Sequence, residues 1–315
     1  MHEVIVVPEK RRMEALHHLL EGRARSAIRG LEASGRLRSD WIWAVVSASG
    51  RLRSVGIAIA NAGSTATILV SRPHTPAEVP LATAVIEAAR AGCRAQPIDL
   101  LQALLGPDDS WSLEAYRAAS FDVLADLHTL RVRIGLNETP PPLPLGVRLR
   151  TGTDAELVAV MEATYEATLD CASLRGLRRT QDILDGHRSG GLVHEDLVQI
   201  LTRDSTPIGC AVVTCGPNAV ADLAYIGLIP AARGCGLGEC ALRHMVYRAA
   251  RHGARHMRLA VDDVNTPARS VYHRLGFTRE STQRAVIHSV RRLQVGRADT
   301  EMSTAHRQGG NPSGG

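Results

Sequence analysis

Arg233-Gly234-Cys235-Gly236-Leu237-Gly238 follows an apolar run from Ala224 to Ile229 and precedes an amphipathic stretch that opens at Glu239. Glycine has no Cβ, so a chain rich in it turns tightly and aims several N–H groups at one anion at the start of a helix. A Gly-rich turn between strand and helix is therefore a diphosphate cradle. Spacing narrows the guest. A Walker loop ends in Gly-Lys-Ser/Thr, whereas Gly238 is followed by Glu239 and Cys240; a dinucleotide fingerprint spaces its glycines G-x-G-x-x-G, whereas these stand at 234, 236 and 238.

The pattern that does fit is Arg-x-x-Gly-x-Gly, followed about thirty residues later by Asn265-Thr266-Pro267-Ala268-Arg269-Ser270-Val271-Tyr272-His273-Arg274-Leu275-Gly276-Phe277. In this order the two motifs resemble the GNAT superfamily of acyl-CoA-dependent N-acyltransferases, over residues 145 to 290. The resemblance implies an α/β fold of mixed α+β type, with a mostly antiparallel sheet flanked by helices. It also implies acetyl-CoA as co-substrate and direct transfer of the acetyl group, in a ternary complex, to a primary amine of a small molecule or peptide.

Composition sets the frame. The length fits two domains, and 44% hydrophobic residues suffice for packed cores. Basic residues number 37 against 32 acidic, for a net charge of +5, and arginine is scattered through the chain rather than clustered. With aromatics at 3%, stacking platforms for nucleic acid are scarce. Cys93, Cys171, Cys210, Cys215, Cys235 and Cys240 form no C-x-x-C pair and have no zinc-finger histidines, so no metal is expected. Free thiols fit a cytoplasmic protein, and neither a signal segment nor a membrane span is expected.

The halves repeat. Val55-Gly56-Ile57-Ala58-Ile59 returns as Ile208-Gly209-Cys210-Ala211-Val212, and Ala115-Tyr116-Arg117-Ala118-Ala119-Ser120-Phe121 returns as Val271-Tyr272-His273-Arg274-Leu275-Gly276-Phe277. Similar offsets at two landmarks argue for duplication. Each half reads as strand, helix, a pair of strands, then strand, helix, strand, helix, strand. Two tandem GNAT-like domains are expected, at 1–136 and 146–295. A proline-rich linker (137–145) stands between them and a disordered tail (296–315) follows. In the second half the first helix is expected from Asp154 to Leu169 and the helix after the cradle from Leu237 to Arg251. Alternating Met257, Leu259 and Val261 give a strand, and Ala268, Val271, Tyr272 and Leu275 a helical stripe.

Acyl transfer to an amine needs a bound thioester, a base, donors for the carbonyl oxygen and an acid for the departing thiolate. Backbone amides of Arg233, Gly234, Cys235, Gly236, Leu237 and Gly238 are expected to hold the pyrophosphate, with a charged contact from Arg233. By resemblance, main-chain groups of Ile226, Gly227 and Leu228 face the pantetheine arm, and Gly227 marks a bulge or splay. Asn265 caps the last helix, contacts the pantetheine, or both. Tyr272 takes the place of the family's general acid, with a core aromatic as the competing reading. Asp222 stands where many members carry a glutamate base; Glu162, Glu166 and Asp170 are rivals at i, i+4, i+8 spacing that could instead hold a cationic acceptor. His187 and His194 fall in a loop, and Cys171 has no base placed beside it.

At the position of the cradle the first half reads Ser71-Arg72-Pro73-His74-Thr75-Pro76-Ala77-Glu78-Val79-Pro80, without glycine and with three prolines that lack N–H donors. It is read as a degenerate domain that does not bind CoA. The tandem arrangement also resembles mycothiol synthase, whose first half keeps its Gly loop. A non-catalytic acyl-CoA-binding module remains the alternative from another class.

Overall fold

The computed structural model describes residues 3–20, 35–135, 139–140 and 142–290. The first half runs β1 (Glu3–Val6), α1 (Arg12–Leu20), β2 (Ile42–Val46), β3 (Leu52–Asn61), β4 (Thr65–Val70), α2 (Val79–Cys93), β5 (Leu100–Leu105), α3 (Ser110–Ala118) and β6 (Asp122–Arg133). The second runs β7 (Val147–Arg150), α4 (Asp154–Thr164), α5 (Thr180–Arg188), β8 (Val198–Arg203), β9 (Thr206–Cys215) and β10 (Val220–Leu228). It closes with α6 (Leu237–Arg251), β11 (His256–Asp262), α7 (Thr266–Arg274) and β12 (Thr278–Ser289). The expected tail lies outside the described residues, as does part of the expected linker.

The duplication extends to the details of local structure. Asp109 caps α3 by accepting the Ser112 N–H at 3.1 Å, and Asn265 caps α7 by accepting the Ala268 N–H at 3.4 Å. Tyr116 packs on Phe121 with ring centroids 5.1 Å apart, and Tyr272 on Phe277 at 5.7 Å. Such a cap satisfies an orphan donor of the first turn, which is why short polar residues stand at both helix starts.

The halves do not close into separate sheets. The twelve strands among the described residues form one sheet in the order β1-β2-β3-β4-β5-β12-β6-β11-β10-β9-β8-β7. The final strand of each half is exchanged: β12 pairs with β5 of the first half, and β6 with β11 of the second, while β6 and β12 pair with each other. The cores record the same exchange. Val286 of β12 is fully buried in the first-half core with Tyr116 and Phe121, and Leu130 of β6 packs in the second-half core with Tyr272 and Phe277. Among the described residues, only the β4–β5 and β10–β11 pairings are parallel.

Strand β9 is buried on both faces and so reads as a continuous apolar run. Its Cys210 and Val212 pack with α4 and α5, whereas Ala211 and Val213 pack with α6 and α7, which puts these helix pairs on opposite faces of the sheet. Helix α4 stops at Thr164 rather than at Leu169, because Ala167 adopts φ 48° and the last carbonyls of the helix turn to another partner, Arg233. His187 lies on α5, not in a loop. The periodicity of that helix is hard to see because it is short and contains Gly186.

Candidate active site

Strand β10 opens the site. Leu223 faces Val213 of β9 and Tyr225 faces Val212, so Ala224 is an extra, bulged residue. The bulge is therefore at Ala224, not at Gly227 as the glycine had implied. Beyond Asp222, β10 no longer pairs with β11, and one of its edges is left without a ladder. Gly227 is required by close approach instead. A Cβ there would stand 2.6 Å from the Tyr225 hydroxyl and 2.8 Å from Thr164 Oγ1.

The splay forms a cleft of about 500 Å³. Of the residues expected at the site, Ile226, Gly227, Leu228, Arg233, Gly234, Gly236, Gly238, Asn265 and Tyr272 line it. At its phosphate end, Gly234 and Gly236 take φ of 76° and 79°, and Gly236 caps α6 in the left-handed conformation. Among the described residues, the N–H groups from Gly234 through Glu239 have no backbone partner. These are orphan donors at a helix N-terminus, the arrangement that binds a diphosphate. The donors and the unladdered edge of β10 fit the pyrophosphate and the amide-bearing arm of an acyl-CoA.

Three expected residues have other work. Leu237 is buried among Val147, Ile208 and Ala241, so only its main chain is available. Cys235 is exposed, does not line the cleft and lies 3.8 Å from the Arg203 guanidinium. The Arg233 side chain does not face the phosphate position: it donates to the carbonyls of Leu228 (3.0 Å), Ala167 (2.9 Å), Thr164 (2.9 Å) and Glu166 (2.8 Å). Its own N–H is bonded to Pro230 O. A planar guanidinium with five donors is suited to gathering the loose carbonyls of a helix C-terminus, where positive charge is also favoured. Arg233 thus fastens the end of α4 to the end of β10.

Asp222 is not in the cleft. It lies where β10 and β11 still pair, and Arg258 Nε binds its carboxylate at 2.8 Å. Strand position alone suggested a base; Asp222, at the last paired position before the splay, does not line the cleft and its carboxylate is bound by Arg258. Tyr272 lines the cleft and is 8% exposed, with no hydrogen-bond partner for its hydroxyl among the described residues. Burial raises its pKa above the ordinary tyrosine value, and the negative charge of Asp170 adds to this. The phenol therefore holds its proton.

Side chains missed in the sequence share this cleft. Ser270 and Arg274, one helical turn apart on α7, line it, and so do Thr164, Thr168, Tyr225 and Glu239. The i, i+4 spacing of Ser270 and Arg274 was the available signal. Glu239 is bound by Arg243 at 3.1 Å and Arg274 at 3.0 Å, which holds its carboxyl below the usual range. Glu162 and Glu166 do not line the cleft, whereas their rival Asp170 does. His187 packs against Tyr225 at 5.3 Å, and burial, assisted by Arg178, lowers its pKa to about 4. Cys171 is pushed up to about 12, chiefly by burial, and so is a poor nucleophile. Among the described residues, no cluster of three or more His, Cys, Asp or Glu is placed to hold a metal, and no helix is long and apolar enough to cross a membrane.

Among the described residues, the corresponding place in the first half is narrower. The equivalent space is about 130 Å³, the Tyr116 hydroxyl donates to Ile68 O of β4 at 2.8 Å, and Arg72 pairs with Asp109 at 3.1 Å. Strand β4 pairs with β3 without a bulge.

Comparison with known proteins agrees with this geometry. Residues 161–277 match the model of the acetyltransferase (GNAT) family. This segment is a GNAT domain. The whole chain is similar in fold to a GCN5-related N-acetyltransferase from Sphaerobacter thermophilus, with a TM-score of 0.60 at 15% identity over 92% of this chain and 96% of that one. It is also similar to a tandem GNAT protein from the clavulanic acid biosynthesis pathway, with a TM-score of 0.50 at 16% identity over 92% and 99%. A third similar structure is the GCN5-related glucosamine N-acetyltransferase region of a fungal multi-domain GH3 β-N-acetylglucosaminidase, with a TM-score of 0.59 at 12% identity over 91% and 38%. No curated protein matches the chain.

Proposed function

We propose that the second half is an acetyl-CoA-dependent N-acetyltransferase acting on a primary amine, by direct attack while both substrates are bound. The observation that carries this reading is the convergence, in one cleft, of the free N–H groups from Gly234 to Glu239, the unladdered edge of β10 and the protonated, unpartnered Tyr272 hydroxyl. The first group binds phosphate and the second accepts the amide-bearing arm; the third protonates the leaving sulfur. The main chain of Ile226 to Leu228 and the Asn265 amide flank the path between phosphate and thioester. The first half supplies two strand neighbours and no second cofactor site. A cytoplasmic location suits the co-substrate.

The test pairs binding with turnover. Calorimetric titration of acetyl-CoA is expected to give one site per chain, and thiol release is to be followed over a panel of amines, aminoglycosides, polyamines and peptide N-termini. Tyr272→Phe should lower turnover by about 10²–10⁴-fold with acetyl-CoA affinity nearly unchanged. Unaltered turnover removes the acid role. Tight binding without thiol release from any acceptor favours a non-catalytic acyl-CoA module, and two sites per chain overturn the account of the first half.

A further inference from the structure

We propose that Asp170 is the carboxylate that receives the proton of the acceptor amine, the role that strand position had suggested for Asp222. The inference rests on the acetyltransferase reading and adds to it the charge class of the acceptor, a primary ammonium.

The argument is geometric. Asp170 stands in the segment between α4 and α5 and lines the same cleft as Tyr272 and Asn265. Its Oδ1 accepts the Asp262 N–H at 3.0 Å, while its own N–H donates to Thr168 Oγ1 at 3.1 Å. Asp262, the neighbouring acid, is committed elsewhere: its two oxygens accept the N–H groups of Cys171 and Val264, each at 3.1 Å, and it is 5% exposed. Asp262 is thus a structural brace, whereas Asp170 lines the cleft with the Asn265 side chain as its hydrogen-bond partner.

The backbone is arranged to aim it. Ala167 and Cys171, both non-glycine, adopt φ of 48° and 47° on either side of Asp170. Arg233 holds the carbonyl of the first, and Asp262 the N–H of the second. Left-handed non-glycine residues kept in place by such partners are characteristic of functional loops.

The surroundings suit a base. Among the described residues, the titratable groups that interact electrostatically with Asp170 are Asp262 at the end of β11, Cys171 beside it, Tyr165 after α4, Tyr225 on β10 and Tyr272 on α7, none of them a cation. Asp170 is exposed, on the wall of the cleft, with protein packed around its carboxyl. Desolvation by that protein raises its pKa and Asp262 adds to the rise, against a lowering by the Asp262 N–H and the Asn265 amide. Exposed Leu169 lines the cleft and offers apolar contact to the carbon chain of an amine.

The proton inventory closes. The ammonium gives one proton to Asp170, and the freed nitrogen pair forms the bond to the carbonyl carbon. The carbon–sulfur bond breaks, and the sulfur takes the Tyr272 proton. The second proton lost by nitrogen restores Tyr272 and the first leaves Asp170 for solvent, so one proton is released per turnover.

The experiment compares wild type, Asp170→Asn and Asp170→Glu, each first titrated with acetyl-CoA to establish folding and cofactor binding. In protein labelled with ¹³C at the aspartate carboxyls and saturated with CoA, the resonance missing from Asp170→Asn should titrate above the ordinary aspartate range. It should shift on addition of 1,4-diaminobutane. In the thiol-release assay Asp170→Asn should lose at least 100-fold in kcat/KM near neutral pH and recover as pH approaches the pKa of the amine, where free base no longer needs the carboxylate. Asp170→Glu should recover part of the loss. An ordinary, amine-insensitive Asp170 titration, or turnover in Asp170→Asn equal to wild type, overturns the assignment while leaving the acetyltransferase reading intact. Absence of acetyl-CoA binding in the wild type removes both.

Discussion

Replacing Gly236 with alanine tests the cradle at its most constrained residue. Gly236 takes φ 79°, and a Cβ built there meets no heavy atom within 4 Å, so alanine adds backbone strain and no collision. A left-handed L-residue costs roughly 1–2 kcal/mol. If the variant keeps the native turn, that amount is lost from folding stability. If the turn relaxes to negative φ, the donors of the α6 N-terminus swing away and the same amount is lost from binding, about 5–30-fold in the acetyl-CoA Kd. The two losses together should therefore amount to about 1–2 kcal/mol. Gly238→Ala is the matched control. Its φ is not left-handed and its nearest neighbour, Leu228 Cδ1, lies at ordinary contact distance, 3.7 Å. Inside a helix, alanine there should stabilise the fold by up to about 1 kcal/mol, so any loss of affinity comes from a methyl group entering the space of the ligand. Urea denaturation measures stability and calorimetric titration with acetyl-CoA measures affinity. The reasoning fails if Gly236→Ala leaves both quantities at wild-type values, or if Gly238→Ala destabilises the protein.

Two further variants probe the walls of the cleft. Arg233→Gln removes the charged donors that gather four carbonyls, and should cost about 1–3 kcal/mol in urea denaturation. Arg233→Lys should recover little of it, because an ammonium lacks the planar fork. Unchanged stability with a tenfold loss of acetyl-CoA affinity would return Arg233 to the phosphate role first expected of it. His187 has a folded-state pKa near 4 against 6.5 for a free histidine, with burial the larger cause and Arg178 the smaller. Between those values the unfolded chain binds the proton and the folded chain does not, so stability falls as pH drops through the window. Stability measured from pH 7 to pH 4 should fall less steeply in His187→Gln, and equal slopes in the two proteins reject the assignment.

Much of this was legible in the residues because it is local. The Gly turn, the Asn-Thr-Pro helix start, the Leu237–Arg251 helix and the alternation of Met257, Leu259 and Val261 are set by neighbours within a few positions. So was the loss of the first cradle, since three prolines among residues 71–80 cannot supply donors. What failed was what needs a third dimension. Asp222 and Asp170 are both acids at element ends, and only the splay of β10 from β11 decides which one meets the cleft. Arg233 belongs to the motif by sequence but to the end of α4 by contact. The bulge at Ala224 has no side-chain signature. The exchange of β6 and β12 was invisible for a similar reason: both are long terminal strands of repeated halves with interchangeable patterns, and periodicity identifies a strand but not its neighbour.

That exchange makes the order of synthesis matter. Strand β5 emerges early, yet the strand that covers its open edge is the last element of the second half. At about 5–20 residues per second the wait is on the order of 10–40 s. Through that interval the nascent first half carries an unpaired edge, the feature through which chains join wrongly. It also gives the first half a structural role: without it the second half would have no β6 beside β11, and β12 would lose both of its described partners, β5 and β6. The first half is the other half of a clasp.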